Sequence, residues 1–151
     1  MRANISIAGD RQLSRDILRI TEHVADLRPA LNAIADQLRD ANRRQFESEG
    51  RFGSGGWDPL SADYARAKAR SFPGRPILVR TGALRRSLTE RPFGVEEIGR
   101  QTMEVGSDLV YAQYHQHGTR KMPRRRPVEL PASVRADMTR TLQRYIISGR
   151  V

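Results

Sequence analysis

The sequence contains no cysteine, and this absence excludes several kinds of chemistry. Thiolate zinc sites, iron–sulfur clusters and cysteine nucleophiles all need a thiol that the chain lacks. Long apolar runs are missing too, since no stretch approaches the roughly eighteen consecutive apolar residues of a transmembrane helix. The N-terminal stretch turns polar within nine residues and lacks the apolar core of a signal peptide. We therefore expect no membrane association and a location in the cytoplasm of the cell that makes the protein.

Acidic and aromatic residues are scarce, whereas arginine is abundant. The chain has 27 Lys+Arg against 17 Asp+Glu, a formal net charge of +10, and only two of the basic residues are lysine. Residues 1–49 are balanced, with eight side chains of each sign, so the excess lies further along. Residues 64–91 hold eight basic side chains and one acidic, and residues 118–128 hold five basic and none acidic. Such clusters suit phosphates or the carboxylates of a partner protein, although a solvated surface is the alternative interpretation.

The length of 151 residues suits one domain, and the first third of it is predicted to be mainly helical. Residues 3–8 alternate as a short strand does. A first helix follows, with apolar residues spaced by four, three and four: Leu13, Ile17, Ile20 and Val24. A second helix is predicted with Asp26 as its N-cap and Pro29 in its first turn. Its stripe of Leu31, Ile34, Ala35, Leu38, Ala41 and Phe46 is expected inside, and Arg39, Asp40, Arg43 and Arg44 are expected in water.

Glycine and proline mark the middle of the chain as loops between short elements. Residues 50–59 form a predicted Gly-rich loop whose Trp57 either anchors the loop to the domain or contacts a partner. Ser61 is predicted to cap a basic helix over residues 62–71, with Tyr64 and Ala65 facing inward. A buried stretch over residues 77–79 precedes a short helix that is predicted to have Thr81 as its cap and Leu84 and Leu88 on its inner face.

The last third combines a predicted hairpin, two helices and an arm. Residues 89–95 and 101–106 read as antiparallel strands joined by a turn at Glu96–Arg100, with Phe93, Val95, Met103 and Val105 on one face. Residues 111–117 make a short helix that Gly118 ends. Arg120–Pro131 contains three prolines and is expected to be extended, and Ser133 is predicted to cap the last helix, whose face is Val134, Met138, Leu142, Tyr145 and Ile146. The predicted class is therefore α+β: a single domain over residues 1–151, with long helices packed on a small antiparallel sheet, and an extended Pro/Arg-rich basic arm over residues 119–131.

No catalytic constellation is visible. His115 and His117 diverge by about 200° on a helix and lack a third ligand, so we expect a partly buried histidine rather than a metal site. The acids Asp58, Asp63 and Asp108 have no convergent spacing for a divalent cation. The stretch of residues 53–56 lacks the Gly-Lys-Ser/Thr ending of a phosphate-binding loop, and no serine has a neighbouring base. We expect no enzymatic activity, no metal and no cofactor.

The segment Met122-Pro123-Arg124-Arg125-Arg126-Pro127 carries a stronger signal. Flanking prolines lower the entropy that is lost when the arginines become ordered, and extended arginines suit an acidic neighbour or a groove. The planar guanidinium group binds carboxylates or phosphates through two hydrogen bonds. A solvated loop remains the alternative.

The order of these motifs resembles a known family. The succession runs from Gly56-Trp57-Asp58-Pro59-Leu60-Ser61 through residues 77–87, Val105-Gly106-Ser107 and residues 111–118 to the Met122–Val128 segment. It is similar to the virion morphogenesis, or tail completion, family of tailed bacteriophages of the Mu-like kind, over roughly residues 3–148. The resemblance implies a structural virion protein, assembled in the host cytoplasm, that forms a ring at the head–tail junction as a tail terminator or neck protein. It implies no catalytic residue.

A ring multiplies weak contacts between subunits, so exposed arginines need not bind tightly alone. We expect a homo-oligomer, with a hexamer favoured, that meets neighbouring neck or tail-tube proteins. The predicted interface residues are Arg120, Lys121, Arg124, Arg125, Arg126, Arg85, Arg86 and Trp57. Residues expected to face the packaged double-stranded DNA or an acidic surface are Arg66, Lys68, Arg70, Arg75 and Arg80. The alternative function is that of a non-specific DNA-binding protein, whose affinity would fall steeply with salt.

Overall fold

The computed structural model describes residues 10–151, so the strand predicted over residues 3–8 lies outside the described part. The elements are α1 (Asp10–Ala25), α2 (Arg28–Glu47), α3 (Arg51–Ser54), α4 (Ala62–Ser71), α5 (Ala83–Thr89), β1 (Val95–Ile98), β2 (Met103–Gly106), α6 (Ala112–His117) and α7 (Ala132–Ser148). Helices α5 and α7, together with β1, pack against α2. This confirms an α+β domain with a small antiparallel sheet. None of the described helices is long and apolar enough to cross a membrane.

Helix α2 is the centre of the fold because one side of it is apolar over most of its length. Ile34, Ala35, Ala41 and Phe46 of the predicted stripe are buried, and its two leucines, Leu31 and Leu38, are half-buried. The helix begins at Arg28, with Leu27 at the N-cap position, which is one residue later than predicted. The carboxylate of Asp26 still accepts a hydrogen bond of 3.2 Å from the backbone N–H of Arg28, so it satisfies one of the free donors at this end.

Arg39 is buried, and its predicted exposure is wrong. Its guanidinium group lies over the ring of Phe93, 4.8 Å from the centroid, and pairs with Asp36 on the same helix. The side chain of Glu96, which the hairpin brings against α2, lies 3.6 Å from Nη1 of Arg39. The helical periodicity around Arg39 carries no information about this distant carboxylate.

The core lies where α2 ends. Its buried members are Phe46, Trp57, Val79, Leu84 and Leu88. The rings of Phe46 and Trp57 meet edge to face at 5.4 Å. The inner face of α5 is therefore confirmed. In the stretch at residues 77–79, Val79 is buried, whereas Ile77 and Leu78 are half-buried against the core. Within the predicted loop over residues 50–59 the short helix α3 forms, so that loop is only partly irregular.

The two short helices α4 and α5 confirm most of their predicted signals. The hydroxyl of Ser61 accepts a hydrogen bond from the N–H of Tyr64, and α4 covers residues 62–71 as predicted. Tyr64 does not face inward, because 48% of it is exposed and Lys68 occupies the inner face instead. Helix α5 begins one residue later than expected, with Gly82 at φ 86° in the N-cap position predicted for Thr81.

The hairpin is shifted relative to the prediction. Residues 89–94 are not a strand, since Thr89 ends α5 and Pro92 has no N–H to donate to a sheet. The observed register pairs Glu96 with Val105 and Ile98 with Met103. Val95 therefore lies on the opposite face from Met103 and Val105, contrary to the expectation.

The C-terminal elements follow the prediction more closely. Helix α6 ends at Gly118, and α7 presents a buried Tyr145 together with the half-buried remainder of its predicted face. Ser133 lies inside α7 rather than capping it, because Pro131 occupies the N-cap position. The hydroxyl of Tyr145 donates to the carbonyl of Asp26, and Nδ1 of His23 donates to the carbonyl of Ile146. These bonds attach the C-terminal end of α1 to α7.

Candidate functional site

The Pro/Arg-rich segment over residues 119–131 is irregular, as predicted, but its second half does not project. Arg125 is only 5% exposed. Its Nε donates to the carbonyl of Asp58 at 2.6 Å, and its Nη2 donates to the carbonyl of Pro59 at 2.7 Å. Its backbone N–H donates to the carbonyl of His115. Arg125 thus joins the segment to the 50–59 region and to α6, and it does not project as an exposed residue of an arm.

The neighbouring Arg126 is held through its backbone. Its carbonyl oxygen accepts hydrogen bonds from Nε2 of Gln45 at 3.1 Å and from the indole N–H of Trp57 at 3.0 Å. Its guanidinium group pairs with Glu129 at 2.9 Å. Trp57 is buried, so the anchor interpretation of this residue is confirmed and its assignment to a partner contact is corrected. Arg126 itself remains half-buried.

The first half of the segment is exposed. Thr119 and Met122 exchange backbone hydrogen bonds of 2.9 and 3.3 Å, which closes a tight turn. Arg120 and Lys121 lie at this turn, and Arg124 follows it, and all three are exposed. These three residues remain predicted partner contacts.

A cavity of about 370 Å³ lies between this turn, α4, α6 and the stretch before α5. A second cavity of about 380 Å³ shares Tyr64, Arg80 and His115 with it, so the two are adjacent. We call the two cavities together the basic groove. Its cationic lining residues are Lys68, Arg80, Lys121 and Arg125, its apolar ones include Leu60, Leu78, Val79 and Met122, and no aspartate or glutamate of the described chain lines either cavity.

Lys68 is predicted to face DNA or an acidic surface, but it is 7% exposed and forms part of the groove wall. Its ammonium group donates to the carbonyl of Pro76. Burial lowers the pKa of Lys68, and the nearby Glu49 partly opposes that effect. The carboxylate of Glu49 accepts a hydrogen bond from the N–H of Ile77 at 2.7 Å, so it is already engaged behind the wall.

His115 is the histidine that the sequence brings to this site. It is half-buried, as expected, and burial lowers its pKa, with a further decrease from the positive charge of Arg125. Its Nδ1 is buried and has no hydrogen-bond partner among the described residues. Within residues 10–151 no three side chains of histidine, aspartate or glutamate come together in a way that could hold a metal ion.

The other predicted contacts are spread over the surface. Arg66 pairs with Asp63 on its own helix, while Arg70 and Arg75 are exposed. Arg80 lies over the ring of Phe72 and reaches the groove. On α5 both Arg85 and Arg86 are exposed, and Arg86 donates to the carbonyl of Thr81. The structure therefore gathers only Arg80, Lys68, Lys121 and Arg125 into one place.

An exposed apolar face on α1 is a feature that the sequence did not predict. Leu13 is 60% exposed and Leu18 is 62% exposed, and Ile17, Ile20 and Val24 are exposed as well. We call these five residues the α1 ridge. The spacing by four, three and four is visible in the sequence, but a helical face normally indicates a core contact. Only the absence of a covering element in the described structure distinguishes this face from a core-facing one.

A comparison with curated proteins and one with solved structures each found no match. A comparison with protein families found that residues 9–147 match the sequence model of the phage virion morphogenesis family. The matched part includes the basic groove, the α1 ridge and the Pro/Arg-rich segment. Because the match covers nearly all of the sequence, the chain belongs to the phage virion morphogenesis family.

Proposed function

We propose that the protein is a structural virion subunit that forms a homo-oligomeric ring at the head–tail junction, as a tail-completion or neck protein. The ring would finish one side of the joint so that heads and tails can combine. The proposal is supported by membership of the virion morphogenesis family. A role of this kind depends on surfaces rather than on reacting groups, and we assign the chain no enzymatic step.

The observation that carries the proposal is the α1 ridge. Contiguous apolar surface on a soluble subunit is typical of a site for protein contacts. Burying a fully exposed valine, leucine or isoleucine side chain contributes about 1.5–3 kcal/mol. The five ridge side chains are 38–62% exposed, so covering each of them contributes a part of that amount to association. Within residues 10–151, the hydrogen bonds that attach α1 to the rest of the domain lie at its C-terminal end, from His23 to the carbonyl of Ile146 and from Gln101 to the carbonyl of Val24. The remainder of the ridge is left for other subunits.

Electron microscopy of a phage with a stop codon in this gene tests the role. We expect filled heads beside unjoined or abnormally long tails, and restoration of virions when the wild-type gene is supplied. Supplying Leu13→Ser together with Ile17→Ser should fail to restore joining. Arg15→Ser, at an exposed polar position of the same helix, should restore it. Normal infectious virions from the stop-codon phage would refute the structural role.

Non-specific DNA binding is the second candidate, favoured by the net charge and by exposed arginines such as Arg70 and Arg75. Fluorescence polarisation with a labelled duplex at increasing salt tests it. A free DNA-binding protein should bind without sequence preference and lose affinity steeply as salt rises. If the stop-codon phage assembles normally and this salt dependence is observed, the second candidate replaces the first.

A further inference from the structure

We propose that the basic groove of one subunit receives the outer face of the β1–β2 hairpin of a second copy, with Glu97 and Glu104 docking against Arg80 and Lys121. The inference rests on the proposed function in one respect, since it requires the chain to assemble with itself. Beyond the proposed function, the inference identifies the two surfaces that contact each other and the complementary charges that they carry.

The groove is suited to carboxylates. Lys68 and Arg125 are buried in its wall and are held only by backbone carbonyls. Neither makes an ion pair with any side chain in the described part of the chain. Glu49 acts on Lys68 only from behind the wall, so neither cation is in direct contact with a carboxylate. Burying a charge in this way is unfavourable, and a carboxylate that enters the groove offsets part of that cost. Arg80 and Lys121 provide exposed positive charge at its edge.

The hairpin presents the matching surface. Glu97 and Glu104 are directly opposite each other in the register, and both are exposed. Like charges placed opposite each other on a sheet repel. No cation pairs with either carboxylate within residues 10–151. The other face of the hairpin, which carries Glu96 and Ile98, is turned toward α2, so the two free carboxylates point away from their own domain.

The two surfaces lie toward opposite ends of α2. The hairpin turn is attached near the start of the helix, where the N–H of Leu27 donates to the carbonyl of Arg100. The groove segment is attached near its end, where Gln45 donates to the carbonyl of Arg126. The rise of α2 between Leu27 and Gln45 is about 27 Å. A subunit therefore cannot fill its own groove, and contacts between unlike surfaces of successive copies generate rings or filaments.

The dimensions of the groove favour a protein occupant over duplex DNA. Each of its two cavities, of about 370 and 380 Å³, has apolar lining residues and accommodates a few side chains. Leu60, Leu78 and Met122 offer contacts that a phosphate backbone would not use, and Tyr64 and Tyr111 are exposed beside them.

Disulfide trapping tests the contact. Because the chain has no cysteine, a disulfide can form only between the introduced residues. Two single-cysteine variants, Glu104→Cys and Lys121→Cys, are mixed and oxidised, and the heterodimer is quantified on a non-reducing gel. The control mixes Glu104→Cys with Arg140→Cys, an exposed position on α7. We expect severalfold more heterodimer from the 104–121 mixture. Equal yields from the two mixtures would overturn the proposal.

Charge reversal provides a second test by sedimentation of the assembled protein. Glu104→Lys alone and Lys121→Glu alone should each weaken self-association about tenfold or more, because each places like charges in contact. The double variant should recover most of the loss, since the pair is then restored with reversed sign. Both positions are exposed, and urea unfolding checks that every variant is folded. No recovery in the double variant would contradict the pairing.

These outcomes are distinct from those that test the role. If the stop-codon phage fails to join heads and tails but 104–121 trapping does not exceed its control, the role stands and this contact is wrong. If trapping succeeds and the phage is normal, the contact stands without the role. If Arg80→Glu and Lys121→Glu abolish retention of duplex DNA while trapping does not exceed its control, the groove is a nucleic-acid site and the proposal is overturned.

Discussion

Gly50 lies immediately under the indole of Trp57, and the replacement Gly50→Ala measures how firmly that indole is held. Gly50 has φ 89°, in the left-handed region, and a Cβ at this position would lie 2.4 Å from Cδ1 of the Trp57 ring. The indole cannot move freely because its N–H donates to the carbonyl of Arg126 and it packs edge to face with the ring of Phe46. The substitution therefore combines a backbone cost with a steric one.

The substitution Gly55→Ala distinguishes the backbone cost from the steric cost. It has φ 84°, and no described atom beyond its chain neighbours lies within 4 Å of the Cβ that alanine would add, so Gly55→Ala has the backbone cost alone. A left-handed alanine costs about 1–2 kcal/mol, of which about 0.4–1 kcal/mol is recovered because the unfolded chain loses freedom. Overpacking against a fixed ring adds about 1–3 kcal/mol. We expect a loss of about 1 kcal/mol in the free energy of unfolding for Gly55→Ala and of about 2–4 kcal/mol for Gly50→Ala.

Equilibrium unfolding in urea, followed by far-ultraviolet circular dichroism, provides the comparison. The midpoint should shift while the slope with urea stays constant, which is the behaviour of a change in stability alone. Equal losses for the two variants would show that the indole yields without cost, and the reasoning about the anchoring of Trp57 would then be wrong.

Three further predictions concern the groove and the ridge. Arg125→Lys loses at least one of the two hydrogen bonds to the carbonyls of Asp58 and Pro59, and it should lower the free energy of unfolding in urea by about 1.5–3 kcal/mol. Arg124→Lys at the exposed neighbour should change the free energy of unfolding by less than about 0.5 kcal/mol. Equal effects of the two substitutions would show that the hydrogen bonds of Arg125 do not stabilise the domain. Because burial lowers the pKa of His115 in the folded state, its contribution to stability is present above its unfolded pKa of about 6.5 and is lost as pH falls through 6.5 toward the lower folded value. His115→Gln should therefore flatten the pH dependence of unfolding in that window, and an unchanged profile would contradict this. Leu13→Ser with Ile17→Ser should leave the unfolding of the isolated subunit within about 0.5 kcal/mol per site but reduce the oligomer in analytical ultracentrifugation; an unchanged oligomer would argue against the ridge as an interface.

Local signals in the sequence are sufficient where a single residue decides the structure. Ser61 caps α4 and Gly118 ends α6 because each acts on its own turn of helix. The inner face of α5 is also a local property, because Leu84 and Leu88 are four residues apart and so lie on the same side of the helix.

Two predictions that were wrong concern the exposure of Arg39 and the register of the hairpin. Arg39 is buried because Glu96 and Phe93 reach it from the hairpin, and nothing near residue 39 indicates that arrangement. The predicted hairpin register is wrong because alternation alone does not fix where a strand begins, and because it neglects the missing N–H of Pro92. The error at Arg39 thus concerns a contact between residues far apart in the chain, whereas the hairpin error concerns the point at which a local strand begins.

The Arg124–Arg126 run illustrates the limit at the candidate site. The sequence singles out the run and its flanking prolines, but three adjacent arginines have the same local pattern. The structure assigns them different environments: Arg124 is exposed, Arg125 is buried between loops, and Arg126 is half-buried beside Glu129. The carbonyls of Asp58 and Pro59 distinguish Arg125 from the two neighbouring arginines.

The hydrogen bond from Trp57 to the carbonyl of Arg126 has a practical consequence. Trp57 is the single tryptophan of the chain, so all indole emission comes from a ring that is bonded to the segment bordering the basic groove. When an occupant shifts that segment, the length of the bond and the hydration of the ring change together. A change in the indole emission of the unlabelled protein, followed by stopped flow, would therefore report a movement of that segment.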